Sequence, residues 1–394
     1  MRSYQSFTTE IDDIDAVIAK FKSEIYSQKL LKNSCGIIFS SNETNGEELV
    51  SKLTEAFDFP FIGCSGIGML NSEGYADEQI SFLLLTADDC EFSVALSEDL
   101  GGKDLEPALR SAYDRASSAL SEKEKLIISY IPWSIDISYD NVVAVLDKLG
   151  DKVPIFGGVA SDTWTFVDSF VFTNGKLSKN GAVLLMISGE ITPVLKTEQS
   201  VVPVSRTRGK ITKASGKFVY EIDGLSAKDY LANKGVLPTK VSAVDGFLVS
   251  PFIIIGEKDG ETISGLRTLD YIDFEKGACR FVGNVEEGSD IMLSYISKDE
   301  MGKSVERFLG GIIDLMKKGG EGRYSTILCS SCATRYSLIV ADKETEAKGY
   351  LGKLPDFVNF QGIYLFGEFC PATGGKSGKY YNRFNNETFA ILAF

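Results

Sequence analysis

Leu126-Ile-Ile-Ser-Tyr-Ile131, a helical stretch at Asn141–Leu149, then Val153-Pro-Ile-Phe-Gly-Gly-Val-Ala-Ser-Asp162: an apolar run, a small-polar loop, a helix, and a second apolar run ending in glycine. The plan recurs twice. Cys35-Gly-Ile-Ile-Phe-Ser-Ser41 leads through Glu47–Phe57 to Phe61-Ile-Gly-Cys-Ser-Gly66, and Ser325-Thr-Ile-Leu-Cys-Ser-Ser-Cys332 leads through Lys343–Leu351 to Ile363-Tyr-Leu-Phe-Gly-Glu-Phe-Cys-Pro371. Short apolar runs joined by a helix read as buried strands. Loops at the ends of such strands are where α/β folds place ligands, because backbone groups there are free and rigidly held. If the three loops converge, they form one pocket lined by glycine, serine, cysteine and a few charges, suited to recognising a small molecule.

The intervening segments set the fold class. Residues 12–32 have an amphipathic helical pattern with Ile14, Val17, Ile18, Phe21 and Ile25 apolar. Ile80–Thr86 and Phe92–Leu96 read as neighbouring strands joined at Asp88-Asp89, and Lys103–Leu120 as a helix. Phe170–Thr173, Asn174-Gly175 and Gly181–Ile187 read as a hairpin, since Asn-Gly favours a type I′ turn. Further strands are expected at 194–213, Phe218–Asp223, Ala243–Ile255, Gly265–Ile272, Ala278–Val282 and Glu387–Phe394. Ser226 is placed to cap a short helix at Ala227–Asn233. Asp299–Lys318 reads as a long helix, stopped by Lys317-Lys318-Gly319-Gly320. Helical units interleaved with a hairpin predict an α/β to α+β fold. Its expected form is two tightly packed halves, 1–200 and 201–394, with mixed sheets flanked by helices.

Composition narrows the function. The 394 residues are 44% hydrophobic, enough for a large core, and the net charge of −14 argues against non-specific binding to nucleic acid or to anionic membranes. No apolar run reaches about 18 residues, so no membrane insertion is expected. Met1–Glu10 lacks the apolar core of a signal peptide, which makes the cytoplasm the expected location. The sequence contains no histidine. That removes the commonest general base, the commonest zinc and haem ligand, and any Ser/His or Cys/His pair. The seven cysteines are an odd number, and a chain of this size needs no disulfide frame.

The loops supply the candidate ligand-binding residues. Cys64, Ser65 and Gly66 lie in a Gly-rich turn able to present backbone N–H groups to an anion, although neither a P-loop nor a dinucleotide pattern is present. Gly158, Ser161 and Asp162 form the second loop; Asp162 suits either a ligand amine or a turn cap. Cys329-Ser-Ser-Cys332 has redox or half-zinc spacing, but its residues also suit plain buried thiols. Arg335 suits a carboxylate clamp or a structural ion pair, and Arg267, on an expected strand, suits either the same pocket or a pair with Asp270 or Asp273. Asn385-Asn386-Glu387-Thr388 reads as a turn or a pocket rim.

Together these pieces resemble the FIST sensory family, with its N-terminal and C-terminal FIST domains. The matching elements are Ile62-Gly-Cys-Ser65, Gly157-Gly-x-Ala-Ser-Asp162, and Gly181-Ala-Val followed by Ser188-Gly189. They continue with Ile211-Thr-Lys-Ala-Ser-Gly216, Glu221-Ile-Asp-Gly224, the arginine strand at 266–272, Cys332-x-x-Arg335, Gly367-Glu368 and Asn386-Glu-Thr388. The resemblance adds Glu368 to the expected site. It implies a cytoplasmic signal-input module that binds a small, amino-acid-like ligand. The implied partners are histidine kinases, chemotaxis receptors or cyclic-di-GMP enzymes. It also implies haem in some members, which the absence of histidine argues against here. With no fused output domain in the sequence, the signal is expected to pass to a separate partner.

The leading reading is a ligand-binding sensor, without cofactor or metal, and not an enzyme. The alternative is a thiol-dependent enzyme or redox protein using Cys64 or Cys329/Cys332. With no histidine and a single C-x-x-C, the purified chain is expected to bind neither haem nor zinc. A Soret band, or stoichiometric zinc in elemental analysis, contradicts this.

Overall fold

The central strands of the repeated plan are parallel pairs. Asn33–Ser41 lies beside Phe61–Gly66, Leu126–Pro132 beside Ile155–Ala160, and Thr326–Cys332 beside Asn359–Leu365. The computed structural model describes residues 1–101, 104–236, 250–319, 324–373 and 380–394. Each pair is the centre of a 6-stranded mixed sheet. On one side two antiparallel strands follow: Ile80–Ala87 and Arg2–Thr8 in the first sheet, Val183–Gly189 and Cys90–Leu96 in the second, Phe389–Ala393 and Val194–Glu198 in the third.

The other side is completed by exchange. The first sheet receives Val171–Thr173 and Lys176–Ser178 from the second unit. The second receives Glu368–Phe369 and Phe384–Asn385 from the third. The third receives Met69–Asn71 and Gly74–Ala76 from the first. The chain is thus three pseudo-equivalent units whose terminal strand pairs are passed around a ring. The first two units end at Gly189; the third begins with Val194–Glu198 and is interrupted after Glu198 by a 9-stranded antiparallel sheet.

Burial follows from this plan. One central core takes Ile37, Phe39 and Cys64 from the first sheet, Ile128, Tyr130 and Phe156 from the second, and Leu328, Ile363 and Leu392 from the third. Helices cover the outer faces. Ile14–Tyr26 and Gly46–Ala56 cover the first, Leu105–Ser118 and Tyr139–Leu149 the second, and Lys298–Gly319 the third. Asp13, Asn45, Asp104 and Ser138 cap the first four of these helices with side-chain oxygens, satisfying donors that a helix start leaves open. Strands buried on both faces read as continuous apolar runs, which is why the repeated units are visible in sequence.

Several expectations change. Ile80–Ala87 and Cys90–Leu96 are not neighbours; they belong to different sheets, because a unit ends at Asp88-Asp89. The Asn174-Gly175 turn forms, with Gly175 at φ 65°, but its second arm is Lys176–Ser178, and Val183–Gly189 leaves for the second sheet. Lys343–Leu351 holds two 3-10 turns, Lys343–Thr345 and Ala347–Gly349, after a short helix, Ala333–Leu338. Gly265–Ile272 divides at Thr268 into separate strands with different partners. Ser226 does cap Ala227–Asn233, accepting from Asp229 N. Residues 243–249, Lys103 and Gly320 of the expected elements lie outside the described residues.

Phe172, fully buried on an exchanged strand, packs on Phe61 of the receiving unit. Phe172→Ala is expected to lower stability by about 3–5 kcal/mol in urea unfolding, the range for emptying an aromatic core site.

Candidate functional site

The three strand-end loops meet at Ser161. Its hydroxyl donates to the Tyr364 carbonyl at 2.6 Å and accepts from Ile67 N at 3.0 Å. Its carbonyl accepts from Ser65 Oγ at 2.9 Å. Ser65 and Ser161 are therefore brought together, but as a buried junction whose polar groups bond to one another and to backbone. Cys64 is fully buried beside them, and desolvation pushes its thiol well up. Gly66 and Gly158 serve close packing: a Cβ at Gly66 would strike the Ile363 side chain, and one at Gly158 the Gly367 carbonyl.

Asp162 anchors the loop that follows. Its carboxylate accepts from Thr165 Oγ1 and from the backbone N–H groups of Phe166, Val167 and Asp168, at 2.8–3.0 Å. Those bonds hold Trp164 and Phe166 at φ 66° and 61°, a costly conformation for bulky residues. The strain has a visible result: both rings face a cleft. Trp133, Trp164, Phe166 and Phe366 line its walls, and Thr268, Cys332, Thr334 and Asn386 are among its polar lining residues. Phe166 stacks on Phe366 at 4.7 Å, with Trp133 within 5.6 Å of each. The cleft encloses about 40 Å³, room for roughly two waters.

Near the floor lies a buried ionic cluster. Arg335 is fully buried, and its Nε donates to Glu346 Oε1 at 2.7 Å. Glu346 Oε2 accepts from Ser331 Oγ and Tyr364 OH, each at 2.8 Å. Glu368 Oε2 accepts from Thr388 Oγ1 at 2.6 Å, and Glu387 Oε1 from Thr268 Oγ1 at 2.8 Å. Among the described residues, five atoms of this cluster have no hydrogen-bond partner: Arg335 Nη1 and Nη2, Glu368 Oε1, Glu387 Oε2 and Asn386 Oδ1. Buried polar atoms are almost always bonded to protein, water or ligand. Burial drives the Glu368 carboxyl well above its usual range and Glu387 up to about 8. With its value near 8, Glu387 is largely protonated near pH 7 and can donate as well as accept, and burial pushes Glu368 in the same direction.

The remaining candidates lie elsewhere or are inert. Arg267 is held away from the cluster by Asp140 Oδ1 at 2.7 Å and by the Asn284 and Phe384 carbonyls. All seven cysteines are free and buried. Cys329 and Cys332 both sit on the strand Thr326–Cys332. Three residues along a strand separate them by about 10 Å and turn them to opposite faces, too far for a disulfide. That corrects the reading of this C-x-x-C as a closing redox pair. Burial also pushes both thiols well up. Among the described residues no group of three or more Cys, Asp or Glu side chains is placed to hold a metal ion. Sequence reasoning missed Glu346 and the aromatic walls. The available signal was that both tryptophans of the chain fall in or next to strand-end loops.

The description "FIST N domain" matches residues 34–225, and "FIST C domain" matches 228–371. The chain belongs to the FIST family. FIST domains are generally sensory domains. The chain is 25% identical over 298 residues to an uncharacterized protein of Methanocaldococcus jannaschii, matching 70% of this chain and 54% of that protein. It therefore spans about half the length of the curated relative it matches. A solved cyanuric acid hydrolase aligns over 100% of this chain and 99% of its own at 10% identity, with a TM-score of 0.36, too low to establish a shared fold. Among the described residues of this FIST protein, no helix is long and apolar enough to cross a membrane.

Glu387 makes stability depend on pH. Its ordinary value is 4.5, and the folded value is about 8. Between these values the folded chain keeps a proton that the unfolded chain has lost, so stability falls as pH rises through the window and levels off above it. Glu387→Gln, a mimic of the neutral acid, is expected to flatten that fall by a few kcal/mol in urea unfolding measured across the window. An unchanged slope contradicts the assignment.

Proposed function

We propose that this chain is an intracellular signal-input protein that binds a small, amino-acid-like ligand in the aromatic cleft and passes its state to a separate partner. A histidine kinase, chemotaxis receptor or cyclic-di-GMP enzyme is the class of partner the family membership supports. The observation that carries the reading is the set of unpartnered polar atoms on Arg335, Glu368, Asn386 and Glu387, near a cleft walled by four aromatic rings. An apolar pocket with a few convergent polar groups is the usual form of a small-molecule site. The aromatic rings suit the body of the ligand. The arginine fork and the buried acids suit its polar end.

Binding in this proposal requires the cleft to open, because about 40 Å³ does not hold an amino acid. The loop carrying Trp164 and Phe166 is the element to move, since it is strained and three of its backbone N–H groups rest on the one carboxylate of Asp162. Ligand occupancy then becomes a change of loop shape, which a partner can read. The reading is of a binder and not an enzyme. The thiol nearest the cleft, Cys332, is pushed well up by burial. That is the reverse of an activated nucleophile.

Both tryptophans of the chain, Trp133 and Trp164, line the cleft, so intrinsic fluorescence reports on it directly. Native mass spectrometry is expected to show a small co-purified ligand, or fluorescence titration with amino acids to show a saturable change. Asn386→Ala should weaken that binding by roughly tenfold, about the value of one buried hydrogen bond. No bound mass and no fluorescence change with any common amino acid would count against the proposal.

A further inference from the structure

A second cavity, of about 350 Å³, lies where the inserted sheet meets the helix Tyr139–Leu149 and the segment Tyr381–Phe384 of the third unit. Two arginines line it, and they differ. Arg267 is neutralised by Asp140 at 2.7 Å. Arg383 donates from Nη1 to the Ser264 carbonyl at 2.7 Å, and among the described residues its guanidinium makes no ion pair. Both are seated over glycines. A Cβ at Gly265 would fall on the Arg383 guanidinium, and one at Gly283 would lie 2.7 Å from Arg267 Nε. The missing side chain at Gly265 is what lets the unpaired charge lie flat against the strand. Burial, and then repulsion from Arg267, push Arg383 down to about 10, while Asp140 and Glu286 oppose this from beyond ion-pair distance. It remains charged near neutral pH, and an anion beside it would relieve both effects.

We propose that this cavity binds the carboxylate group of a small organic monoacid, with Arg383 as its anchor. A guanidinium presents parallel N–H donors that match a carboxylate. The cavity volume is at the lower end of small-ligand sites, about 300–1,000 Å³. Val143, Ile254, Ile263 and Phe384 give it apolar wall for a short hydrocarbon body. The other charges facing it select against dianions. Asp140 and Asp147 come from the helix, Glu257 and Lys258 from the strand Phe252–Lys258, and Glu286 from the turn beyond Asn284. The acids outnumber the one lysine, Lys258, which rests over the Tyr381 ring, so phosphate is disfavoured, whereas an ammonium group on the monoacid would be drawn to Glu286. A bound carboxylate would bridge the inserted sheet to the third unit. This site is separate from the aromatic cleft and does not depend on the cleft's function.

The test is calorimetric titration of the full chain with 4-methylpentanoate, with L-leucine and with inorganic phosphate. Either carboxylate is expected to bind, and phosphate to give no saturable heat. Arg383→Met and Gly265→Ala should each weaken 4-methylpentanoate binding at least tenfold, and Asn386→Ala should leave it unchanged. Binding by L-leucine alone would assign the ligand an ammonium group; binding by both would assign the carboxylate as sufficient. Glu286→Gln, a surface change tolerable to folding, should tighten 4-methylpentanoate severalfold. Absence of binding by both carboxylates overturns the proposal. So does equal binding of phosphate, or unaltered affinity in a folded Arg383→Met protein. If that variant does not fold, an unaltered affinity in Glu286→Gln does so instead.

Discussion

One buried hydroxyl joins all three units. Ser161 Oγ takes the Ile67 N–H of the first unit and gives its own proton to the Tyr364 carbonyl of the third, while the residue itself belongs to the second. Each of those backbone groups is buried and would be left without a partner if the hydroxyl were lost, at a cost of about 1–3 kcal/mol apiece. The residues on either side inherit this fixed point. Asp162 follows immediately and shapes the aromatic loop, and the strand leading to Phe366 is pinned by the Tyr364 bond. The cleft is placed by hydrogen bonds made below it, and its walls come from different units.

The cluster near the cleft is stable for a chemical reason. Arg335 and Glu346 cancel one another as a fully buried pair. Two further carboxyls would add uncompensated charge, and burial pushes both toward the protonated form instead. Glu387 also holds a positive φ of 57°, a strained backbone next to the partnerless oxygen of its own side chain. Strain and unsatisfied polarity thus meet at one residue.

The repeated strand–helix–strand units were legible because their central strands are buried on both faces and carry continuous apolar runs. The exchange of strands was not. Asn174-Gly175 specifies a tight turn a few residues long; it says nothing about which sheet receives Val183–Gly189. Likewise Ile80–Ala87 and Cys90–Leu96 look alike and lie close in sequence, yet a unit boundary falls between them. In the site, Arg335 was visible as a cation beyond a strand. Its partner was hidden, since Lys343-Glu-Thr-Glu-Ala347 has the composition of an exposed helix. Only the fold tucks Glu346 under Tyr364 and Ser331. Asp162 shows the same limit: its spacing fits a ligand contact and a loop anchor equally, and the local N–H groups decide in favour of the anchor.

The ring of exchanged strands also dictates an order of assembly. The pair Met69–Asn71 and Gly74–Ala76 finds its place only beside Asn359–Leu365, almost three hundred residues further along. On the ribosome the first unit therefore emerges with two strands unhoused and with one edge of its own sheet uncovered until the second unit arrives. Contacts this distant in sequence make for slow closure. No single unit can reach its final form by itself, so the nascent chain must shelter open sheet edges from neighbouring chains until the third unit has been made. The ring closes when the C-terminal strands dock, and the central core is sealed in that same step.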